Sequence, residues 1–221
     1  VVGVAVQDYL KTIYKVSQES DRVTPSQVAE QLEVSQPAVT KMVRRLQELN
    51  LCDYSRDGGL ELREAGRKIA LEMIRHHRLL ELYLKEALGF SWDRVHEEAE
   101  RLEHVISEEF EERIDRLLQF PTHDPHGDPI PTREGHVETP EHATLEQLEP
   151  GDEAVVARVS DEDPEMLRYL EKMGLFPGTP LTLIEKEPYG GSLHVRIDGE
   201  RHGIGRELAA RIFLSTRKAT G

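Results

Sequence analysis

Apolar residues recur at helical spacing through the first half of the chain and in short alternating runs through the last third, with a proline-rich stretch between. From Asp8 to Ser17, the positions of Tyr9, Leu10, Ile13, Tyr14 and Val16 predict a first helix. Thr24-Pro25-Ser26-Gln27 has the pattern of a capping box with proline at the first helical position, so a second helix is expected through Gln31. Leu32 to Val34 reads as a turn. Ser35 then stands as N-cap of a third helix, which tolerates Pro37 in its first turn. Its expected buried face is Val39, Met42, Val43, Leu46 and Leu49, and Asn50 ends it. Leu51–Ser55 and Leu60–Leu62 flank Arg56-Asp57-Gly58-Gly59, a hairpin signal. Helix, turn, helix, hairpin is the order of a winged helix.

A long helix is expected next, from about Glu64 to Leu88, broken by Gly89. Further helices are expected from about Ser91 to Val105 and from Ser107 to Leu118. Between Phe120 and Pro140, Pro121, Pro125, Pro129, Pro131 and Pro140 with two glycines predict a linker rather than a packed element. From Ala143 the texture turns to β. Glu153–Val159, Leu181–Ile184 and Ser192–Ile197 read as strands with turn residues between them, and Pro164–Met173 reads as a short helix. The expected fold is mainly α with β: an N-terminal winged helix-turn-helix over 1–63, a helical dimerisation domain with its linker over 64–140, and a C-terminal SH3-like β-barrel over 141–221.

Composition adds limits. With 38% hydrophobic and 32% charged residues in 221, the chain fits a helix-rich folded protein with ample core. No apolar run approaches the roughly 20 residues of a membrane span, so no membrane partner is expected. The single cysteine, Cys52, forbids an intrachain disulfide; it reads as a small core residue, and the cytoplasm is the expected compartment. The chain opens on Val rather than Met, so residues are expected to precede it. A net charge of -14 argues at first against nucleic acid. Residues 1–78, however, hold twelve Lys/Arg and eleven Asp/Glu, so the acidity lies elsewhere and this segment can still grip phosphates.

In a helix-turn-helix the second helix enters the major groove. The residues expected to face DNA are Ser35, Gln36, Pro37, Thr40, Lys41, Arg44 and Arg45, with Arg56 reaching from the hairpin tip. Ser, Gln and Thr suit mixed readout, and the cations suit phosphate or guanine. Such tri-helical pieces also serve as protein-interaction modules.

A second chemistry lies downstream. If Ser91–Val105 is one helix, His96, Glu100, Glu103 and His104 share a face, at offsets of four, seven and eight. His77 and Glu81 form a similar pair one turn apart. Two imidazoles and two carboxylates suit a divalent first-row metal better than calcium or a thiolate-bound zinc. The bland alternative is solvated decoration of an acidic chain. Asp8 opens the first helix, and Asp124 and His126 in the linker are further potential ligands. His76 points about 100° away from His77 and is expected in solvent, as are His123 and His202.

Asp8-Tyr-Leu-Lys-Thr-Ile-Tyr14, Ser35-Gln-Pro-Ala-Val-Thr40, His77-Arg-Leu-Leu-Glu81, Val95–His104 and Asp124-Pro-His-Gly-Asp-Pro-Ile-Pro131 together resemble the diphtheria toxin repressor family, in its iron- and manganese-dependent branch. The segment from about Ala143 to Leu214 resembles the SH3-like domain of ferrous-iron transport proteins. The resemblance implies a regulatory metal site at Asp8, Glu100, Glu103 and His104. It implies a second site at His77, Glu81 and His96, joined by Asp124, His126 and Asp161. Iron-sensing members carry Met and Cys where this chain has Asp8 and Glu100; oxygen in place of sulfur favours manganese. Two-domain manganese members carry an acidic residue where Lys11 stands, and some three-domain members a Cys where Asp124 stands.

The expectation is therefore a cytoplasmic, homodimeric, metal-activated repressor of metal-uptake genes. It would bind a double-stranded palindromic operator and hold two Mn2+ per subunit, with Fe2+ as the alternative. Trp92, Leu102, Val105 and Ile106 would form the dimer seam. The SH3-like domain would complete the second site or engage a proline-rich stretch of the linker. The rival from another class is a metal-dependent hydrolase, which would leave the recognition helix and wing idle.

Overall fold

The computed structural model describes residues 2–138, 140–161 and 163–216. Val1, Thr139, Glu162 and the last five residues of the expected domains lie outside the described residues. Internal packing groups the chain in two units. The first holds the chain up to His77 with Glu103–Ser107 and Pro131–Val137; the second holds Arg78–Leu102, Glu108–Ile130 and the chain from Glu138 onward.

In the first unit α1 spans Val4–Glu19, α2 Pro25–Gln31 and α3 Gln36–Glu48. A hairpin of β1 (Cys52–Ser55) and β2 (Gly59–Leu62) follows, antiparallel, with Ser55 opposite Gly59. α4 (Glu64–Leu88) begins here and runs on into the second unit. The capping box at α2 forms in both directions: Gln27 N donates to Thr24 Oγ1 at 3.3 Å, and Thr24 N donates to Gln27 Oε1 at 2.8 Å. Leu10, Ile13, Val28, Val39, Leu46, Cys52, Leu60 and Leu71 close a single apolar core that holds the three helices and the hairpin together. Ser35 has the extended backbone of an N-cap but no side-chain capping bond. Along α3, Val39, Val43 and Leu46 are buried as expected, but Met42 is half-buried and Leu49 is 49% exposed. Leu49 is the helix C-cap, so it lies past the turn that carries the apolar stripe.

The second unit contains the rest of α4, α5 (Val95–Leu102), α6 (Glu108–Leu117) and a six-stranded antiparallel sheet. Its strands are β3 (Ala143–Thr144), β4 (Glu153–Val159), β5 (Pro180–Lys186), β6 (Leu193–Ile197), β7 (Glu200–Ile204) and β8 (Ile212–Thr216), in the order β3-β8-β4-β5-β6-β7. Register shifts in β4 against β8 and in β5 against β6 bend the sheet. α7 (Pro164–Lys172) covers the core with Met166, Leu167 and Leu170, and Asp163 caps it by accepting from the Glu165 and Met166 amides. A short α8 (Arg206–Ala209) precedes the last strand.

Three expectations fail here. The helix expected over Ser91–Val105 is only Val95–Leu102. Ser91–Arg94 is a turn, and beyond Leu102 the Glu103 carbonyl is taken by His76 Nδ1 at 3.0 Å, in a tertiary bond that replaces the helical one. His76 is accordingly buried, not solvated. The linker fails in part: Asp124, Pro125, His126, Gly127, Ile130 and Pro131 are buried, whereas Thr132–Glu138 and Pro140 are exposed or half-buried as a linker would be. Asp124 Oδ1 accepts from the His126 and Asp128 amides at 2.8 and 3.0 Å, and Ile130 N donates to Thr122 O. Val159 N donates to His126 O at 2.9 Å, which fastens this tight loop to β4. Prolines here make the segment stiff enough to pack. The third is Trp92, expected at a dimer seam. It is 2% exposed within the second unit's core, donates through Nε1 to Pro125 O, and packs against Phe176. Val105 is 73% exposed, and Leu102 and Ile106 are half-buried.

Candidate metal centre

Because α5 stops at Leu102, the four residues expected on one helical face are divided. His96 and Glu100 sit on α5 in the second unit, with Glu100 exposed; Glu103 and His104 follow the helix and belong to the first unit.

In the first unit, Asp8 on α1 meets Glu103 and His104, with one donor atom from each within 4.8 Å of the others. His104 Nε2 is 2.9 Å from Asp8 Oδ1 and 3.5 Å from Glu103 Oε1. His104 Nδ1 is held by Gln7 Oε1 at 3.0 Å, which fixes Nδ1 as donor and directs Nε2 at the carboxylates. Gln7 was not anticipated; a polar residue beside Asp8 was its only trace in the sequence. Glu103 is fully buried. His77 Nδ1 donates to its Oε2 at 2.6 Å, and Lys11 Nζ donates to both oxygens at 2.8 Å. Burial pushes the Glu103 carboxyl up, but the His77 hydrogen bond and the charges of Lys11 and His77 win and bring it down to about 2.

The second unit holds the larger cluster. Glu81, on α4 one turn beyond His77, is fully buried. His96 Nδ1 lies 3.1 Å from Glu81 Oε1 and 3.3 Å from Asp161 Oδ2. Donor atoms of Glu81, Asp124 and His126 also fall within 4.8 Å of one another. Burial works against the charged imidazole of His96, yet the hydrogen bonds to Asp161 and Glu81 raise it to about 10. His126 is likewise raised, to about 9, with burial outweighed by the Glu81, Asp124 and Asp161 carboxylates. Asp124 is pushed well above the usual carboxylate range by burial and by Glu81 and Asp128. Arg78 supplies partial compensation, with Nε 3.7 Å from Asp124 and Nη2 3.2 Å from Asp128.

His126 tests whether a metal fits. Its Nε2 is 3.3 Å from Trp92 O and its ring stacks on the indole at 5.6 Å. Its Nδ1 is buried with no hydrogen-bond partner among the described residues and lies 3.8 Å from Glu81 Oε2. A buried nitrogen without a bond, aimed at a carboxylate and stacked in place, suits a divalent cation between them. The donor set around both clusters is nitrogen and oxygen throughout. Cys52 is remote in kind, buried in the first unit's core with its thiol pushed up to about 11 by burial.

Ser35, Gln36, Pro37, Thr40, Lys41, Arg44 and Arg45 are all exposed on or before α3, and Arg56 is exposed at the hairpin tip. Gln36 Nε2 donates to Ser26 Oγ of α2 at 2.8 Å, which steadies the start of α3, and Thr40 Oγ1 returns to Gln36 O.

Residues 3–60 match the family described as iron dependent repressor, N-terminal DNA binding domain, and residues 63–132 match iron dependent repressor, metal binding and dimerisation domain. Residues 143–216 match the FeoA domain. The iron-dependent repressor IdeR of Mycobacterium tuberculosis is 37% identical over 216 residues, covering 91% of this chain and 92% of that protein. The chain belongs to the iron-dependent repressor family. Among solved structures, a manganese-dependent transcriptional repressor in complex with manganese is 40% identical with a TM-score of 0.89, covering 96% of this chain and all of that one. The manganese regulator SloR is 33% identical with a TM-score of 0.76, covering 96% of this chain and 98% of that one. The chain is thus a metal-dependent transcriptional repressor of the iron/manganese class, with DNA-binding, metal-binding and dimerisation, and SH3-like FeoA parts. Among the described residues no helix is long and apolar enough to cross a membrane.

Proposed function

We propose that this repressor is manganese-responsive, acts in the cytoplasm as a homodimer on a palindromic operator, and controls metal-uptake genes. The observation that carries the metal assignment is the donor chemistry. Asp8, Glu103 and His104 form one site, and Glu81, His96, Asp124, His126 and Asp161 the other, without a sulfur in either. Oxygen-rich sets suit manganese, whereas thiolate and thioether would favour softer ions. His77 supports Glu103 from the side. We read the chain as a DNA-binding domain over 1–63, a metal-binding and dimerisation domain over 64–140 and the SH3-like domain over 141–221.

Within the first unit, Asp8 belongs to the helix that packs on the DNA-reading helices, while Glu103 and His104 come from a segment far along the chain. A bound divalent ion supplies a positive charge that these three donors share, and so ties α1 to that segment. Ser35, Gln36, Pro37 and Thr40 then meet base edges, and Lys41, Arg44, Arg45 and Arg56 meet phosphates. Binding of metal and operator must strengthen each other. An iron-responsive reading has support of its own, the 37% identity to IdeR. Operator binding titrated with manganese and with anaerobic ferrous iron decides between them. Equal operator affinity in excess chelator and in saturating manganese would overturn metal control altogether, and hydrolysis by the metal-loaded protein would revive the enzyme reading.

A further inference from the structure

The Asp8, Glu103 and His104 cluster already contains a cation. Lys11 lies three residues after Asp8 on α1, so both project from one face of that helix. Its side chain is only 6% exposed, and its ammonium is 2.8 Å from each oxygen of the fully buried Glu103. A lysine usually carries its charge out to water, and burying it is unfavourable unless it is paired and hydrogen-bonded. Here the chain keeps the charge inside.

The sharing of Glu103 has a consequence. Oε2 is engaged by His77 at 2.6 Å and by Lys11. Oε1 is engaged by Lys11 and also faces His104 Nε2 at 3.5 Å, which itself sits 2.9 Å from Asp8. A cation held by Asp8, His104 and Glu103 therefore draws on an oxygen that already serves an ammonium. We propose that Lys11 is a resident cation that shares Glu103 with the metal and thereby sets the metal threshold of this site, an inference that rests on reading Asp8, Glu103 and His104 as metal ligands. Repulsion between the ammonium and the ion weakens binding without altering any donor atom. Affinity is lowered while the choice among metals, fixed by the donors, is kept.

The test compares the full-length protein with Lys11→Met, which keeps the length and removes the charge, and with Lys11→Arg, which keeps the charge. Manganese affinity is measured by competition with a chelating dye, following the equivalent that Asp8→Ala removes. Lys11→Met should bind that equivalent about tenfold or more tightly, and Lys11→Arg should stay within about threefold of the wild type. The rise in melting temperature on adding manganese should also be larger in Lys11→Met, since Glu103 then keeps the His77 hydrogen bond but lacks the ammonium, and the metal replaces that charge. If metal-free Lys11→Met fails to fold, the dependence of its melting temperature on manganese concentration still decides, and a rise no larger than the wild type's overturns the proposal. Unchanged or weaker binding in folded Lys11→Met overturns it as well, because Lys11 would then be a positioning residue alone. Should Asp8→Ala remove no equivalent, the site reading itself falls, and the role of Lys11 with it.

Discussion

Gly127→Ala should be among the most damaging single-atom additions in the second unit. Gly127 has φ +91° and sits where the Asp124–Asp128 loop crosses β4; an added Cβ would lie 2.1 Å from Ala157 O and 2.8 Å from Arg158 Cα. The conformational strain alone is about 1–3 kcal/mol for an L-residue. The clash is with strand backbone, which cannot turn aside, so the loop must lift. Lifting breaks the Val159 N to His126 O bond, about 1 kcal/mol, and loosens the Trp92–His126 stack, roughly 0.5–1.5 kcal/mol. The expected loss is therefore about 3–5 kcal/mol. Gly89→Ala is the control. Its φ is +71°, but nothing lies within 4 Å of the added carbon, so only the backbone strain remains, about 1–2 kcal/mol. Urea unfolding followed by the emission of Trp92, the single tryptophan of the chain, reads both variants, and a manganese titration shows whether the loop still presents Asp124 and His126. If Gly127→Ala proves no more destabilising than Gly89→Ala and binds manganese normally, the loop is not held by its approach to β4, and the reasoning fails.

Arg45→Ala should weaken all DNA sequences alike and lower the salt slope of binding by about one, whereas Gln36→Ala should relax discrimination at particular bases; an unchanged affinity and slope for Arg45→Ala in salt titrations would refute the placement of α3 on DNA. Gln7→Ala should weaken manganese binding at the first site roughly 10–100-fold by freeing the His104 ring, with little change in melting temperature of the metal-free protein; equal affinities in dye competition would count against that role. pH should act in opposite senses on the second cluster. The raised His96 and His126 stabilise the metal-free fold below about pH 6.5, and that contribution is lost as pH rises through about 9–10. Ligation needs these rings neutral, so manganese affinity should rise with pH, by up to about tenfold per pH unit for each proton released; calorimetry in buffers of different ionisation enthalpy counts the protons, and none released would contradict the assigned ligands.

Local chemistry made the DNA-facing half legible. Thr24 and Gln27, Pro25, and the Asp57-Gly58-Gly59 tip all act within a few residues, and the elements they predict begin and end close to where they form. The metal half depends on long-range contacts. The end of α5 is set by His76, Lys11 and His77 acting on Glu103, which periodicity cannot register, and so one expected helical face becomes donors for two clusters. Proline content misread the Asp124–Pro131 part of Phe120–Pro140 as a spacer because composition reports stiffness, not burial; the Asp124 side chain and Val159 decide that it packs. Trp92 looked like a seam residue because an aromatic on a helix near an acidic face carries no mark of the indole's partners, Pro125 and His126. β3 is only two residues long and β7 is mostly polar, so pairing alone reveals them, whereas β8, Ile212–Thr216, was missed despite its apolar Ile-Phe-Leu start.

The absence of sulfur from both donor clusters bears on more than metal preference. Thiolates and thioethers are the ligands that peroxide attacks first, and a sensor that relies on them loses its response when it is oxidised. In this chain the single cysteine is sealed in an apolar core with its thiol held protonated at neutral pH, and the donors are carboxylates and imidazoles. On the ligand assignment proposed above, no thiolate or thioether is offered to the metal, so direct oxidation of a sulfur ligand is not a route by which such a site would lose its ion.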